Sequence, residues 1–144
     1  TVGAGMTASA LGQQADNHNH RQAEAIFAAV GAVVTVPEPL MDAVTGLSGS
    51  GPGYIALVVE ALADGGVAAG LPRATAMQLA IQTVKGAAEL LQPEALHPGV
   101  LKDRVTSPGG TTITGIAQLE AAGIRSAFIE AVQAASERSR QMGR

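Results

Sequence analysis

The sequence has no cysteine and no tryptophan, and only Phe27, Tyr54 and Phe128 are aromatic. Without cysteine the chain can form neither a disulfide framework nor a thiolate metal site, which suits a reducing compartment. With so few rings, a core must be built from Ala, Val, Leu and Ile. These small side chains predict close contact between helices.

Charge of either sign is sparse, at 15% charged residues with a net charge of −3. The lack of a basic patch argues against nucleic acid or an anionic membrane as partner. Glu60 interrupts the longest apolar run, Tyr54 to Ala63, well short of the roughly 18 residues that a membrane span needs. No signal-peptide pattern is found. We expect a soluble, cytoplasmic protein whose partner is a small molecule or another protein.

Two zones differ in character within the 144 residues. Residues 1–37 predict a strand, a helix and a strand, the last from Ala32 to Val36 in mostly β-branched residues. Two strands alone do not make a stable sheet. We therefore interpret this zone as a remnant of a larger α/β domain, with a boundary at Pro37-Glu38-Pro39.

The second zone, residues 38–144, predicts helices only. Their expected spans are 40–47, 52–69, 72 to just before Pro93, 98–105, 112–121 and 125–142. The long second and third helices are apolar over more than one face, as in helices buried on several sides. So short a chain has too few other helices to cover them, and we expect a second subunit to do so.

One motif suggests cofactor binding. Residues Gly3 to Ala8 fit G-x-G-x-x-A, in which glycines let the backbone approach a pyrophosphate at a helix N-terminus. The context is wrong, because only Thr1 and Val2 precede the motif and a polar stretch, Gly12 to Asn19, follows it. We interpret it as not binding a dinucleotide.

The histidines do not indicate a metal site or an acid–base pair. For His18 and His20 a solvated helix start, with Asn19 and Gln22 as a capping box, is favoured over a metal site. His97 has no evident acid or base partner and is interpreted as a loop residue. No metal is expected.

The segment Thr106 to Thr112 is the strongest candidate for a ligand-binding site. Gly109 and Gly110 directly precede a predicted helix start, so that successive N–H groups can point at one spot with no side chain in the way, which favours an anion. Thr111 and Thr112 add hydroxyls. A plain N-cap is the alternative, but it requires one hydroxyl and no paired glycines. We favour a carboxylate-sized anion.

A second loop, Ser48-Gly49-Ser50-Gly51-Pro52, has the same character: glycines, small hydroxyls and a helix start with proline in its first turn. Alone it could simply turn the chain between two helices. Together the two loops suggest a cleft between two helix N-termini.

Several stretches, in their order and spacing, resemble the C-terminal half of pyrroline-5-carboxylate reductase. They are Asp42 to Pro52, Glu60 to Val67, Gly70 to Arg73, Gln82 to Ala88, His97 to Gly99 and Ser107 to Thr112. The resemblance covers essentially the whole chain, and the Ser107-Pro108-Gly109-Gly110-Thr111-Thr112 stretch is highly specific to that family. Gly53 departs from it, since the family usually has Ala there.

The resemblance implies a mainly α fold. Residues 38–144 would form a helical substrate-binding and dimerisation domain, similar to the C-terminal domain of 6-phosphogluconate dehydrogenase. Residues 1–37 would be a strand–helix–strand remnant of the N-terminal, dinucleotide-binding Rossmann domain, with Gly3 to Ala8 as a late strand. The main NADPH or NADH site would then lie outside this chain, and the isolated chain would be inactive.

The resemblance also implies an activity, the NAD(P)H-dependent reduction of 1-pyrroline-5-carboxylate to L-proline, the last step of proline biosynthesis. Subunits of the family pair as homodimers, which often assemble into decamers. A protonated imine is already electrophilic, so the protein must chiefly position the ring. This agrees with loops that hold glycines and hydroxyls rather than a pair of acid–base groups.

Site residues follow from the same resemblance. The loop of Ser107, Gly109, Gly110 and Thr111 would bind the substrate carboxylate through backbone N–H groups. Thr112 would be the catalytic residue, its hydroxyl beside the ring nitrogen. Pro52 would line the pocket near the ring and the nicotinamide, with Ser50 close by.

Two alternatives stay open. The chain could be a catalytically inactive dimerisation module, because the family's Gly-rich cofactor loop is missing from it. It could instead belong to another reductase of the 6-phosphogluconate dehydrogenase type. That type usually presents a lysine for acid–base work, whereas Lys85 and Lys102 lie outside the glycine loops.

Overall fold

The computed structural model describes residues 3–92 and 96–143. Its first part is a β–α–β unit, in which strand β1 (Gly5–Ser9) and strand β2 (Gly31–Thr35) pair in parallel and helix α1 (Asn17–Ala28) is the crossover. Parallel strands require such a crossover connection. The predicted order of strand, helix and strand is confirmed.

Two glycines face each other where the parallel ladder begins, at Gly5 and Gly31. A Cβ atom on Gly31 would lie 1.9 Å from the carbonyl oxygen of Gly5. The two backbones therefore approach more closely than any side chain at position 31 would allow.

Helix α1 begins one turn earlier than the predicted capping box. Asp16 is its N-cap, and Asp16 Oδ1 accepts a hydrogen bond of 2.7 Å from the Asn19 amide. The predicted box of Asn19 and Gln22 is wrong. Aspartate caps a helix as well as asparagine does, and Asp16 stands ahead of the first helical residue.

Helices make up the rest of the described chain. A 3₁₀ turn (Glu38–Leu40), helix α2 (Met41–Val44) and a π turn (Thr45–Gly49) replace the single first helix that was predicted. The other predicted helices are confirmed with small shifts at their ends: α3 (Gly51–Ala68), α4 (Arg73–Leu91), α5 (Pro98–Arg104), α6 (Thr111–Ala121) and α7 (Ile124–Met142). Pro93, the predicted stop after α4, lies outside the described residues.

Gly70 ends helix α3 in a left-handed conformation, with φ of +101°. Its amide donates to the Val67 carbonyl, and the Leu71 amide donates to the Gly66 carbonyl. This pair of bonds is the Schellman motif, which satisfies the last carbonyls of a helix. The sequence correctly places the helix end at this glycine.

The chain divides into two compact units, Thr1–Pro52 with Ile129–Arg144, and Gly53–Phe128. In the second unit, Ala63 of α3 packs against Ala76 and Ala80 of α4 to form the core. Gly66 allows the same close approach, because a Cβ atom there would lie 3.1 Å from the Ala76 Cβ atom. Small residues thus bring these helices together, as the composition predicts.

Large apolar side chains remain exposed on both long helices. They include Ile55, Leu57 and Leu62 of α3 and Leu79 and Ile81 of α4. Leu62 and Leu79 line an apolar depression of about 200 Å³. Among the described helices, none is long and apolar enough to cross a membrane.

Candidate functional site

The segment that leads into helix α6 is a tight turn. The Gly110 amide donates to the Ser107 carbonyl at 3.0 Å, which leaves Pro108 and Gly109 at the centre of the turn. Gly109 has φ of +67°, a left-handed conformation that glycine adopts without strain. Proline followed by such a glycine is typical of a type II turn.

Gly110 is the N-cap of α6 and has no side chain with which to cap it. A Cβ atom there would lie 2.3 Å from Ser107 Oγ. The Ser107 side chain therefore occupies the space beside Gly110. The sequence predicts no side chain in the way of the first amides, whereas the structure places the Ser107 hydroxyl beside them.

The first amides of α6 are free to bind a ligand. The bond from the Thr114 amide to the Gly110 carbonyl, 3.3 Å long, is the first of the helical pattern. The amides of Thr111, Thr112 and Ile113 precede it, and within the described chain no side chain accepts from them. They lie at the positive end of an 11-residue helix, where an anion is stabilised.

The threonine hydroxyls of this helix differ in their partners. Thr114 Oγ1 donates to the Gly110 carbonyl at 3.0 Å. Thr111 and Thr112 are exposed, and their hydroxyls bond to no other described residue. They can therefore donate to, or accept from, a molecule bound at the start of the helix.

The second loop belongs to the other unit and follows the π turn. The Ser50 amide donates to the Thr45 carbonyl at 2.9 Å, and helix α3 begins at Gly51. Pro52, in the first helical turn, removes an amide that has no helical partner there. Ser50 is half-buried and Pro52 is exposed. The cleft predicted between the two loops stays a prediction.

The G-x-G-x-x-A segment does not form a dinucleotide loop. Gly5 to Ala8 lie within strand β1 rather than in a turn that opens a helix. The next helix start is capped by the Asp16 carboxylate, which would repel a pyrophosphate. This segment therefore does not fit the phosphate groups of a nicotinamide cofactor.

Two histidines make contacts that the sequence did not indicate. His20 Nε2 lies 3.1 Å from Thr35 Oγ1 and 3.2 Å from Glu24 Oε1, which ties α1 to the end of β2. His97 is the N-cap of α5, where its Nδ1 accepts a bond of 3.1 Å from the Gly99 amide. The proline at the next position was the available signal, since proline favours the first helical position. Within the described residues, no cluster fits a metal ion.

Both lysines take part in ion pairs at the surface. Lys85 Nζ lies 3.7 Å from Glu89 Oε1, and Lys102 Nζ lies 2.5 Å from Asp103 Oδ1. Neither residue lies on a glycine loop. This placement gives no support to a mechanism that uses a catalytic lysine.

Comparison with known proteins identifies relatives of both sequence and fold. A family model described as pyrroline-5-carboxylate reductase dimerisation matches residues 38–142. The chain is 62% identical to a pyrroline-5-carboxylate reductase from Synechocystis over 100% of its length and 54% of that relative. It is 55% identical to one from Methanosarcina acetivorans, over 100% of this chain and 53% of the relative. The chain thus spans about half the length of the curated relatives it matches.

Solved structures of pyrroline-5-carboxylate reductases have the same fold as this chain. A pyrroline-5-carboxylate reductase from Coxiella burnetii superposes with a TM-score of 0.93 and 40% identity, covering 97% of this chain and 52% of that one. A pyrroline carboxylate reductase from Plasmodium falciparum, with NADP bound, gives a TM-score of 0.84 and 34% identity, covering 92% and 54%.

Proposed function

Because this chain belongs to the pyrroline-5-carboxylate reductase family, we propose that it is the substrate-binding and subunit-pairing part of an enzyme that makes L-proline. The reaction is the reduction of 1-pyrroline-5-carboxylate by NADPH or NADH. The observation that carries the proposal is the uncapped start of α6, with free amides and two free hydroxyls. The substrate offers a carboxylate and an imine nitrogen to these two kinds of group.

The carboxylate of the substrate is assigned to the loop of Ser107, Gly109, Gly110 and Thr111. The turn exposes the first amides of α6, and the helix dipole adds to their attraction for an anion. A planar carboxylate can accept from two neighbouring amides at once. Ser107 Oγ occupies the space where a Cβ atom of Gly110 would lie, so this hydroxyl stands at the start of the helix beside the free amides.

Thr112 is assigned as the catalytic residue, with its hydroxyl beside the ring nitrogen. A bound nicotinamide would supply the hydride that reduces the carbon of the protonated imine and so forms the amine of proline. The Thr112 hydroxyl bonds the nitrogen and fixes the orientation of the ring. Such positioning can lower the barrier by several kcal/mol without a strong base.

Ser50 and Pro52 are also assigned to substrate binding. Pro52 presents an exposed apolar ring at the start of α3, suitable for contact with the ring of the substrate and with the nicotinamide. Ser50 adds a half-buried hydroxyl next to it. Because the G-x-G-x-x-A segment lies in a strand and does not fit the cofactor's phosphates, we place the main NAD(P)H site in a domain outside this chain. We also propose that the enzyme is cytoplasmic.

The working unit is proposed to be a homodimer, with decamers as a further level of assembly. The support is the family's description as a dimerisation domain and the exposed apolar side chains of α3 and α4. A chain of this length can bury a sizeable core, whereas the buried apolar side chains among the described residues are three alanines, Ala63, Ala76 and Ala80. A second copy of the chain would cover the apolar side chains that are exposed on α3 and α4.

The testing experiment compares two proteins under one assay. The first is the 144-residue chain alone, and the second is the same chain joined after the cofactor-binding half of the Synechocystis relative. Oxidation of NADPH and of NADH is followed with pyrroline-5-carboxylate supplied, and proline is measured as product. We expect turnover from the joined protein and none from the chain alone. An inactive joined protein that folds and dimerises would favour the alternative of a module without catalytic function.

A further inference from the structure

Helix α7 holds the segment that leads to Ser50. Ser139 Oγ donates a bond of 2.7 Å to Asp42 Oδ1, joining residues 97 positions apart in the sequence. Both side chains are half-buried. A bond to a charged acceptor shielded in this way is stronger than one between neutral groups in water.

A second contact lies about one turn after Asp42, at Gly46 in the π turn. This glycine is buried, and a Cβ atom on it would lie 2.2 Å from Ser136 Oγ and 2.7 Å from the Val132 carbonyl oxygen. Ser136 could rotate away, but the Val132 oxygen belongs to the backbone of α7. The helix and the turn therefore approach so closely that no side chain fits at position 46.

The π turn (Thr45–Gly49) directly precedes Ser50 and sets the direction in which Ser50 points. Its closing bond runs from the Ser50 amide to the Thr45 carbonyl, five residues back rather than the four of an α-helix. One extra residue in a helical turn rotates everything after it by about 100° about the helix axis. A return to α-helical bonding would point Ser50 and Pro52 in another direction.

We propose that Asp42, Gly46 and Ser139 are positioning residues for the substrate site. Helix α7 holds the π turn through these three residues, and the turn orients Ser50 and Pro52. The inference rests on the proposed function for its catalytic meaning. A role in stability alone would leave the conformation of residues 45–52 unchanged when the bond between Ser139 and Asp42 is removed.

The first test measures hydrogen exchange of the backbone amides in the full 144-residue chain. Ser139→Ala and Asp42→Ala each remove the bond, whereas Asp42→Asn keeps an acceptor oxygen. Ser126→Ala is the matched control, because Ser126 is an exposed serine of the same helix that makes no hydrogen bond with residues 41–52. We expect exchange in residues 45–52 to rise about tenfold in the two variants that lose the bond. Asp42→Asn and Ser126→Ala should resemble the unmodified chain.

Exchange in residues 107–112 serves as the internal reference and should not change. Unaltered exchange in residues 45–52 of Ser139→Ala overturns the proposal, and so does an equal rise in residues 107–112. Ser139→Ala combined with Asp42→Ala should exchange no faster than either variant alone, since both remove one and the same bond.

The second test uses the joined enzyme described above. In Ser139→Ala and Asp42→Ala we expect kcat/KM for pyrroline-5-carboxylate to fall about tenfold. The KM for NADPH should stay within about twofold, because the main NADPH site is proposed to lie in a domain outside this chain. Asp42→Asn should restore most of the activity. Equal losses for both substrates, or faster exchange with unchanged kinetics, would overturn the positioning role. If the unmodified joined enzyme is inactive, the proposed function fails, while the exchange test still decides whether α7 holds the turn.

Discussion

Thr112 and Thr114 lie two residues apart on helix α6, but their hydroxyls are used differently. Thr114 Oγ1 donates to the Gly110 carbonyl, whereas the Thr112 hydroxyl bonds to no other residue in the described chain. In the joined enzyme, Thr112→Ala should lower kcat by about tenfold to a hundredfold, the usual value of a hydrogen bond to a charged group. Steady-state kinetics with pyrroline-5-carboxylate measures this. Thr114→Ala is the control, with kcat within about twofold. A similar small change in both variants would remove Thr112 from the catalytic role.

Gly109 and Gly115 are a second matched pair of residues. Gly109 has φ of +67°, and Gly115 lies inside α6 with nothing within 4 Å of an added Cβ atom. Gly109→Ala should reduce the free energy of unfolding by about 1–2 kcal/mol, because L residues are strained in the left-handed region. Gly115→Ala should raise it by about 0.5–1 kcal/mol. Urea denaturation of the 144-residue chain measures both. Destabilisation by the two variants to the same extent would show that strain at Gly109 is not the cause.

At the scale of elements, the cap of α1 gives a clear test. Asp16 Oδ1 accepts from the Asn19 amide. Asp16→Ala should destabilise the chain by about 1 kcal/mol, whereas Asp16→Asn should cost little, because asparagine caps a helix equally well. Thermal unfolding followed by circular dichroism provides the comparison. Asn19→Ala is the informative control. If Asn19 were the N-cap, Asn19→Ala would destabilise the chain as much as Asp16→Ala does. With the cap at Asp16, Asn19→Ala should change the stability little.

The elements themselves could be predicted from the sequence where a local signal exists. Gly70 marks the end of α3, and the Pro-Gly-Gly stretch marks the start of α6, because each acts through the backbone of its own neighbours. The π turn at Thr45–Gly49 could not be found in this way. Its contacts come from Val132 and Ser136 of α7, and Ser139 of the same helix bonds Asp42 just before the turn. These residues are far away in the sequence, and no periodicity carries that information.

The candidate site, too, could be predicted only where the signal is local in the sequence. The amides and hydroxyls at the start of α6 come from residues within one stretch, and the helix begins at Thr111, one residue before the predicted start. Their role in binding stays a prediction. The resemblance supplied the assignment of Ser50 and Pro52, but it did not reveal that α7 fixes the turn before them. The capping role of Asp16 was missed because several polar residues near that helix start compete for one position. The capping role of His97 was missed although Pro98, directly after it, indicates the first helical position.

At the scale of the whole molecule, the exposed apolar side chains of α3 and α4 predict assembly. Leu62 and Leu79 line the apolar depression in the second unit and are 49% and 52% exposed. We expect the chain to be a dimer of twice 14.4 kDa in light scattering after size-exclusion chromatography. Leu62→Glu and Leu79→Glu should each shift this mass towards the monomer, because a charge buried without a partner at an interface is strongly unfavourable.

Ile26→Glu provides the control for this prediction. Ile26 is 69% exposed but lies on α1, outside the second unit (Gly53–Phe128) that holds Leu62 and Leu79. Its variant should stay dimeric. If the leucine variants do not fold as monomers, the unmodified chain still tests the prediction, because the melting temperature of a dimer rises with protein concentration. A monomeric mass together with a melting temperature that does not depend on concentration would show that the apolar faces of α3 and α4 do not pair two copies of this chain.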